Sequence, residues 1–584
     1  MKNLITFILF LSLYLRNANA QDCLSFDLDF GSTSIIPYCE EKLVTITLTN
    51  TCGSDEYFDI FVTSTNYTLP SIVDPIDFTI EQNNNGFRIR KDNYFIEEDA
   101  TVDLHFTFKV TYGTEFNIDF LTKKNSESLY YEQTHVQFFP EKYVLLTGSL
   151  TDLLNGNAPG LFPANEACNT NNVRNYVVQG TFVVDQNYCF NGQRNTQSGP
   201  GSKMLIYPGA SIQVSNNSEL NITNMVISTR NNTTCETQSG WVGFQVNNGS
   251  SFNITNSEIR DAHWGIKTQS NTKVHCSRTF FIDDYIGMDC GSGVGSKSEV
   301  VMSQCKFFPS NGFADAYSGQ PSRVGTVPYV GIQAYNTDLV VAGGGTQYAQ
   351  FNDFQNLRHG IINTDCNLTL SNAQFRAIGL ENSGAGFTNS SNAIKMRGIR
   401  PKIASIMNCK FYNMQHGIRT MRMNTTIDGC NFGDLQTQNY NHIVGNGIIV
   451  ESSNTPHTIQ NCTLRVNQAG ILLYHNLYGN ASNVIKNNRF LTDQYDDAKG
   501  IWGDINSTSW EIHNNYFVPV KGLNSIRTNN CKEFNIHDND IKYPSSINLN
   551  HHAVKLIADE KMNVQCNTVY NGPTNSGLNL HAFD

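Results

Sequence analysis

One six-residue phrase returns thirteen times between residues 222 and 569 and restricts the possible folds of this chain more than any other feature. Written as apolar, x, Asn, Asn or Cys, x, Phe, it begins at Ile222, Ile254, Cys276, Met302, Ala349, Leu370, Ile406, Ile427, Ile459, Ile485, Ile512, Ile536 and Val564. The intervals run from 21 to 36 residues, with one of 47, the range in which solenoids repeat. The sixth position is apolar in every copy, and holds Phe281, Phe307, Phe354, Phe375, Phe411, Phe432, Phe490 and Phe517, so it must face an interior. The third is Asn, Asp or Gly in nine copies, the residues that enter left-handed backbone at least cost, which predicts a corner. The fourth alternates between thiols (Cys305, Cys409, Cys430, Cys462) and amides (Asn352, Asn488, Asn515, Asn539, Asn567). An inward amide survives burial only if hydrogen-bonded, and stacked asparagines can bond to their own copies. Five copies place Gly eleven residues after the phrase begins, at Gly265, Gly287, Gly360, Gly417 and Gly470, each before Ile or Met.

Short strands, fixed corner chemistry and the absence of long 3.6-residue stripes describe a coil of parallel strands rather than a helical solenoid. Ile485–Phe490 (IKNNRF), Ile512–Phe517 (IHNNYF) and Ile459–Ile471 (IQNCTLRVNQAGI) resemble the repeats of secreted right-handed parallel β-helix proteins, the pectate-lyase-like superfamily, in its large bacterial cell-surface type. The resemblance covers about residues 175 to 584 and implies an all-β fold. It does not imply a single activity, because that fold hosts lyases, hydrolases, epimerases and adhesins.

The start of the chain reads as a secretory signal peptide over 1–20. Lys2 precedes an apolar run from Leu4 to Leu15, and Ala18-Asn19-Ala20 forms a small-x-small cleavage site. The run is too short to span a bilayer, and no later segment is long enough, so a soluble chain outside the cytoplasm is expected, secreted or attached to the cell surface. Residues 21–145 lack the phrase and alternate apolar and polar residues in stretches such as Leu43–Thr49 and Val102–Val110. That pattern predicts an antiparallel, immunoglobulin-like β-sandwich, acting as a spacer or a binding module. Residues 146–202 read as a transition with the capping coils, Leu153–Ala164 as loop, and 203–584 as the β-helix. The chain stops at Asp584 inside a strand, which leads us to expect a partner or further segment over that end.

All fifteen cysteines follow the signal segment. Cys23, Cys39, Cys52, Cys168 and Cys189 are expected to form disulfides, with the pairing open. Cys409 and Cys430 occupy equivalent positions on successive coils with side chains pointing the same way, and are expected to stay thiols. No C-x-x-C spacing suggests a zinc site, no cofactor motif is present, and the acidic loop Asp493–Asp504 reads as a solvated turn. A formal charge of −11 argues against nucleic acid or an anionic membrane as partner.

No catalytic signature emerges. Asn336–Asp338 and Asn363–Asp365 match the Asn-Thr-Asp of polygalacturonases, but the Asp pairs Asp283-Asp284 and Asp496-Asp497 stand in the wrong places for that family's set. One constellation remains. Around the recurrent glycine, successive coils place His263, Trp264 and Lys267, then Arg358 and His359, then His416, Arg419 and Arg422, then Tyr474 and His475, then Lys499 and Trp502. In a coil these positions stack, which would line one face with cations and aromatic rings suited to sugar rings and carboxylates. Two readings follow: a non-catalytic adhesin-like scaffold or glycan binder, whose partner is a polysaccharide or cell-surface glycan, or a polysaccharide lyase or related carbohydrate-active enzyme acting on acidic polysaccharide.

Overall fold

The computed structural model describes residues 24–581 apart from 30–34, 37–40, 52, 66–70, 73–78, 84–85, 110–115, 125–131, 141–142, 157–173, 193–201, 230–239, 292–296, 311–326, 345–349, 380–390, 401, 434–442, 452–454, 476–482, 493–497, 520–523, 543–551, 558 and 571–577. The expected signal peptide, the Asp496-Asp497 pair, Cys23, Cys39, Cys52 and Cys168 lie outside the described residues. Cys189 is disulfide-bonded. The chain divides into two compact units, residues 1–142 with 232–235, and residues 143–231 with 236–584. Among the described residues no helix is long and apolar enough to cross a membrane.

The first unit holds two sheets. One runs in the order Leu24–Asp29, Glu41–Asn50, Thr101–Lys109, Ser71–Ile72, antiparallel throughout. The other runs Ile35–Ile36, Glu132–Pro140, Phe116–Lys124, Glu56–Thr65, Gly86–Ile96, Thr79–Asn83, antiparallel except for its first pair. Leu48, Leu104 and Phe58 are fully buried, as the period-2 alternation requires. Buried Asn50 ties the sheets together, its Nδ2 donating to the Ile96 carbonyl at 2.9 Å.

The second unit is a parallel coil in which each strand pairs with the one about three strands later. Its first strand is Tyr143–Ser149. The stretch expected as loop from Leu153 instead begins inside a short helix, Leu150–Asn155. Ser149 Oγ caps that helix by accepting from Asp152 N at 3.0 Å, and Leu150, Leu153 and Leu154 meet the core at i, i+3, i+4 spacing.

Inside the coil the phrase positions lie over their own copies. Register pairs Ile259, Phe281, Phe307, Phe354, Phe375, Phe411, Phe432, Leu464, Phe490, Phe517, Ile541 and Val569 in one column. From Phe281 to Phe432 neighbouring ring centroids stand 4.5 to 5.2 Å apart and within 8° of parallel, since strand spacing leaves room for one ring thickness per coil. The third position has positive φ in all copies except that of Phe351, including Arg278, Gln304 and Cys566, where nothing in the residue type favours it.

The glycines are explained by these rings. A Cβ on Gly287 would lie 2.5 Å from Phe307 Cδ1 and 2.6 Å from the Gly331 carbonyl, and Gly360 and Gly470 are equally confined. At the fourth position, Asn488 Nδ2 donates to Asn515 Oδ1, Asn515 to Asn539 and Asn539 to Asn567, at 2.9 to 3.0 Å. Each amide also donates to a carbonyl of the preceding coil, as Asn515 does to Ile485 O at 2.9 Å. The thiols upstream do the same more weakly: Cys430 Sγ donates to Ile406 O at 3.7 Å. Cys409, Cys430 and Cys462 are free and buried.

Two outcomes follow. Asn515→Ala removes a ladder member and leaves Asn488 Nδ2 without its amide acceptor, so the urea midpoint should fall by the equivalent of about 1–3 kcal/mol. Asn563→Ala, which deletes an exposed bond to Asn535, should leave the midpoint unchanged. Of the nine free cysteines described, eight are buried and Cys566 is exposed. Burial pushes the Cys305 and Cys366 thiols up to about 12. Alkylation of the native chain, mapped by mass spectrometry, should label Cys566 and reach the other eight only in denaturant.

Candidate functional site

The glycine column lies on one face of the coil, in strands that include Ala262–Thr268, Ile286–Cys290, Val330–Tyr335, His359–Thr364, Asn392–Arg397, His416–Met421, Ile448–Glu451, Ala469–Tyr474, Lys499–His513 and Asn524–His537. Register aligns Lys267, Asp289, Gln333, Ile362, Lys395, Arg419, Ile449, Leu472, Trp502, Arg527 and Lys555 in a single outward column. A second column, just before the glycines, runs Trp264, Ile286, Val330, His359 and later Ala469, Lys499, Asn524, His552, with His416 opposite Asn392. Tyr474 pairs with Glu451 and Asp504, further along the strands. His263 and Arg358 precede the second column. Arg422 and His475 occupy the corners that follow the strands, with φ of 55° and 51°.

Three groups form within this arrangement. The first is a run of rings across four coils: Trp264 to His263 at 4.1 Å, His263 to Tyr285 at 5.3 Å, Tyr285 to Tyr329 at 5.9 Å and Tyr329 to His359 at 5.6 Å. Lys267 Nζ lies 3.9 Å over the Trp264 ring and the Arg358 guanidinium 5.8 Å from Tyr329. Tyr285, Ile286 and Val330 form a separate apolar cluster, against which Trp264, Tyr329 and Ile362 pack. In the second group Arg419 is held by Glu451, its Nε donating to Oε2 at 2.7 Å, and His416 Nδ1 accepts from Asn446 N at 3.1 Å. In the third, Lys499 Nζ lies 4.8 Å and Arg527 Cζ 5.9 Å from the Trp502 ring. Tyr474 stacks on His475 at 3.8 Å. Ile449 and Leu472 separate the second and third groups, so the cations do not make an unbroken line.

Tyr285, Tyr329 and Arg527 were not among the residues expected. Both tyrosines stand two residues before a column glycine, Gly287 and Gly331, at the offset that His263 has from Gly265. Gly331 escaped because it falls inside the 47-residue interval, away from the eleven-residue offset. Arg527 follows Ser525, which replaces the glycine in its coil, so the marker was missing.

The carboxylates considered for chemistry serve the corners. Asp284 Oδ1 accepts from Ala262 N and Asp283 Oδ1 from Ser310 N, each at 2.8 Å. Asp338 accepts from Lys297 and Asn367, and Asp365 from Arg400 N. Burial, then the neighbouring Asp283, raises the Asp261 carboxyl to about 6. Among the described residues no group of three or more His, Cys, Asp or Glu could hold a metal ion. Burial pulls the His359 imidazole down to about 4, with Lys395 and Arg358 adding to it, so it is neutral at pH 7. Rings edged by cations can stack on the apolar face of a sugar and hold its oxygens.

No family model matches the chain, and no curated protein does. Among solved structures the chain is similar to the periplasmic alginate epimerase AlgG, at 10% identity and a TM-score of 0.26, over 77% of this chain and 85% of that one. It is similar to the catalytic domain of a GH87 α-1,3-glucanase in complex with nigerose, at 9% identity and a TM-score of 0.19, over 93% and 92%. A third is the family 28 exopolygalacturonase of Yersinia enterocolitica, at 9% identity and a TM-score of 0.16, over 96% and 99%. At scores this low the strand pairing, not the likeness, carries the fold, and the likeness carries no chemistry.

His359 gives a pH test. Its folded-state value of about 4 lies below the ordinary imidazole range, so the unfolded chain binds the extra proton between about pH 4 and 6.5. Stability should therefore be complete above that window and fall as pH drops through it. In melting curves across the window, His359→Gln should show a smaller fall than the native chain.

Proposed function

We propose that the protein is a secreted or cell-surface scaffold that holds an extended glycan along the glycine face without cleaving it. The observation that carries this reading is the pair of ring-and-cation assemblies on that face, Trp264 with Lys267, Tyr285 and Tyr329 near one end and Trp502 with Lys499 and Arg527 near the other. Ten steps of the outward column separate Lys267 from Lys555, roughly 50 Å at one strand spacing each. A polymer of sugar rings lying along the coil matches that geometry better than a small ligand does.

Catalysis is disfavoured by how the candidate groups are engaged. Arg419 is neutralised by Glu451, Asp284 and Asp283 accept from the backbone N–H groups of Ala262 and Ser310, and His359 is 6% exposed. Secretion rests on the signal-like segment 1–20 and on the thiol-and-disulfide division of the cysteines.

Affinity electrophoresis in gels containing a panel of neutral and uronate polysaccharides tests the reading. At least one polysaccharide should retard the chain. Trp264→Ala should weaken that retardation by about fivefold or more, the loss expected of one stacking ring worth at least ~1 kcal/mol. Absorbance of unsaturated sugar ends should not rise on incubation with any uronate polymer. A rise abolished by Arg419→Ala or His416→Ala would establish a lyase instead, and migration unaffected by every polysaccharide would remove glycan binding altogether.

A further inference from the structure

We infer that the C-terminal coils of the glycine face form a subsite for an oxyanion carried on a sugar, built by Trp502, Arg527 and Asn524; this rests on the glycan-binding reading and narrows it to an acidic sugar at a stated place. Trp502 and Arg527 face each other across consecutive strands of the outward column. Trp502 Nε1 and Arg527 Nε are both shielded from water, and neither meets an acceptor among the described residues. Lys499 Nζ lies over the same indole at 4.8 Å, so two cations flank a ring that carries a donor of its own.

Three other described arginines of the coil are matched by carboxylates, Arg260 by Glu258, Arg376 by Asp353 and Arg419 by Glu451, while Arg278 donates to the Gln304 amide oxygen and Arg358 Nε, like Arg527 Nε, is buried without an acceptor among the described residues. Arg527 has no such partner among the described residues. Asp504, the carboxylate in the strand beside it, accepts from the Asn529 amide at 3.0 Å instead. Two buried donors on register-paired residues of adjacent coils, with the Arg527 guanidinium carbon 5.9 Å from the indole, call for a group that only accepts and presents at least two oxygens. A carboxylate and a sulfate ester both qualify, and a neutral sugar hydroxyl does not. Asn524, 4% exposed and next to Lys499 in the second column, adds a buried Oδ1 that meets no donor among the described residues. A ring hydroxyl beside the charged group would supply that donor. The chain as a whole carries a formal −11, which repels anions at long range, so selectivity for an acidic sugar must come from these local donors.

Calorimetric titration of the full chain at low salt with three oligosaccharides of equal length, an oligogalacturonate, a sulfated galactan and an unsulfated galactan, tests the subsite. At least one acidic oligomer should bind about tenfold or more tightly than the neutral one, the gain expected from charge-assisted hydrogen bonds; which of the two does so separates carboxylate from sulfate. Trp502→Phe, which keeps the ring and deletes the N–H, and Arg527→Gln should each lower the acidic oligomer's affinity about tenfold more than the neutral oligomer's, which removes the preference. Lys555→Gln, one coil further along the same column, should retain the preference. Equal affinity of the native chain for acidic and neutral oligomers overturns the inference and leaves glycan binding standing, as does a preference that survives both variants or that Lys555→Gln removes equally. Failure of all three oligomers to bind overturns the subsite, and the glycan-binding reading falls with it only if every polysaccharide of the electrophoresis panel also leaves migration unchanged.

Discussion

A side chain that recurs once per coil meets its own copy at the spacing of parallel strands, and this constraint governs the second unit. At that distance a flat ring touches the next flat ring, an amide reaches the next amide, and a thiol reaches a carbonyl. Phe281 to Phe432 obey the first rule and Asn488 to Asn567 the second. The corner residues keep the strands in step, because a left-handed residue turns the chain at the same point of every copy of the phrase but that of Phe351. The glycines follow from the rings, since a Cβ at those positions would run into the phenylalanine edges. None of these features stands alone: a slip of one residue in any coil would turn its Phe outward and its amide away from the ladder.

The same repetition that packs the interior also arranges the exterior. Residues two places beyond the column glycines form an outward file whether or not they share any chemistry, which is how Lys267, Arg419 and Trp502 come to one file with Ile449 and Leu472. Chemistry then differs by region. Near Trp264 the rings rest on a small apolar cluster of their own, near Arg419 charge is cancelled by Glu451, and near Trp502 the donors outnumber their partners. A face built this way offers separate sticking points rather than a uniform groove.

Much of the interior was legible in the sequence, because stacking demands like residues at like positions and so writes itself as a phrase. The Phe column, the asparagine corners and the amide ladder could all be read from Ile485–Phe490 and its copies. The exterior was legible only through the glycine marker that accompanied it. Where the marker slipped, as at Gly331, or was replaced, as by Ser525, the neighbouring Tyr329 and Arg527 went unseen. The helix Leu150–Asn155 was hidden for a different reason: six residues carry too little periodicity to stand out beside a Pro- and Gly-rich stretch. In the first unit, alternation told strand from turn, but the order of strands in the two sheets depends on pairings between distant segments that no local pattern records.

Phe307 and Phe354 touch at 4.9 Å although they lie 47 residues apart in the chain, as closely as rings in coils only 21 residues apart. The stacking therefore senses where a coil resumes and not how far the backbone has strayed meanwhile. A coil of this kind can acquire long excursions one at a time without renegotiating its interior, so new surface features can be trialled on an old rod.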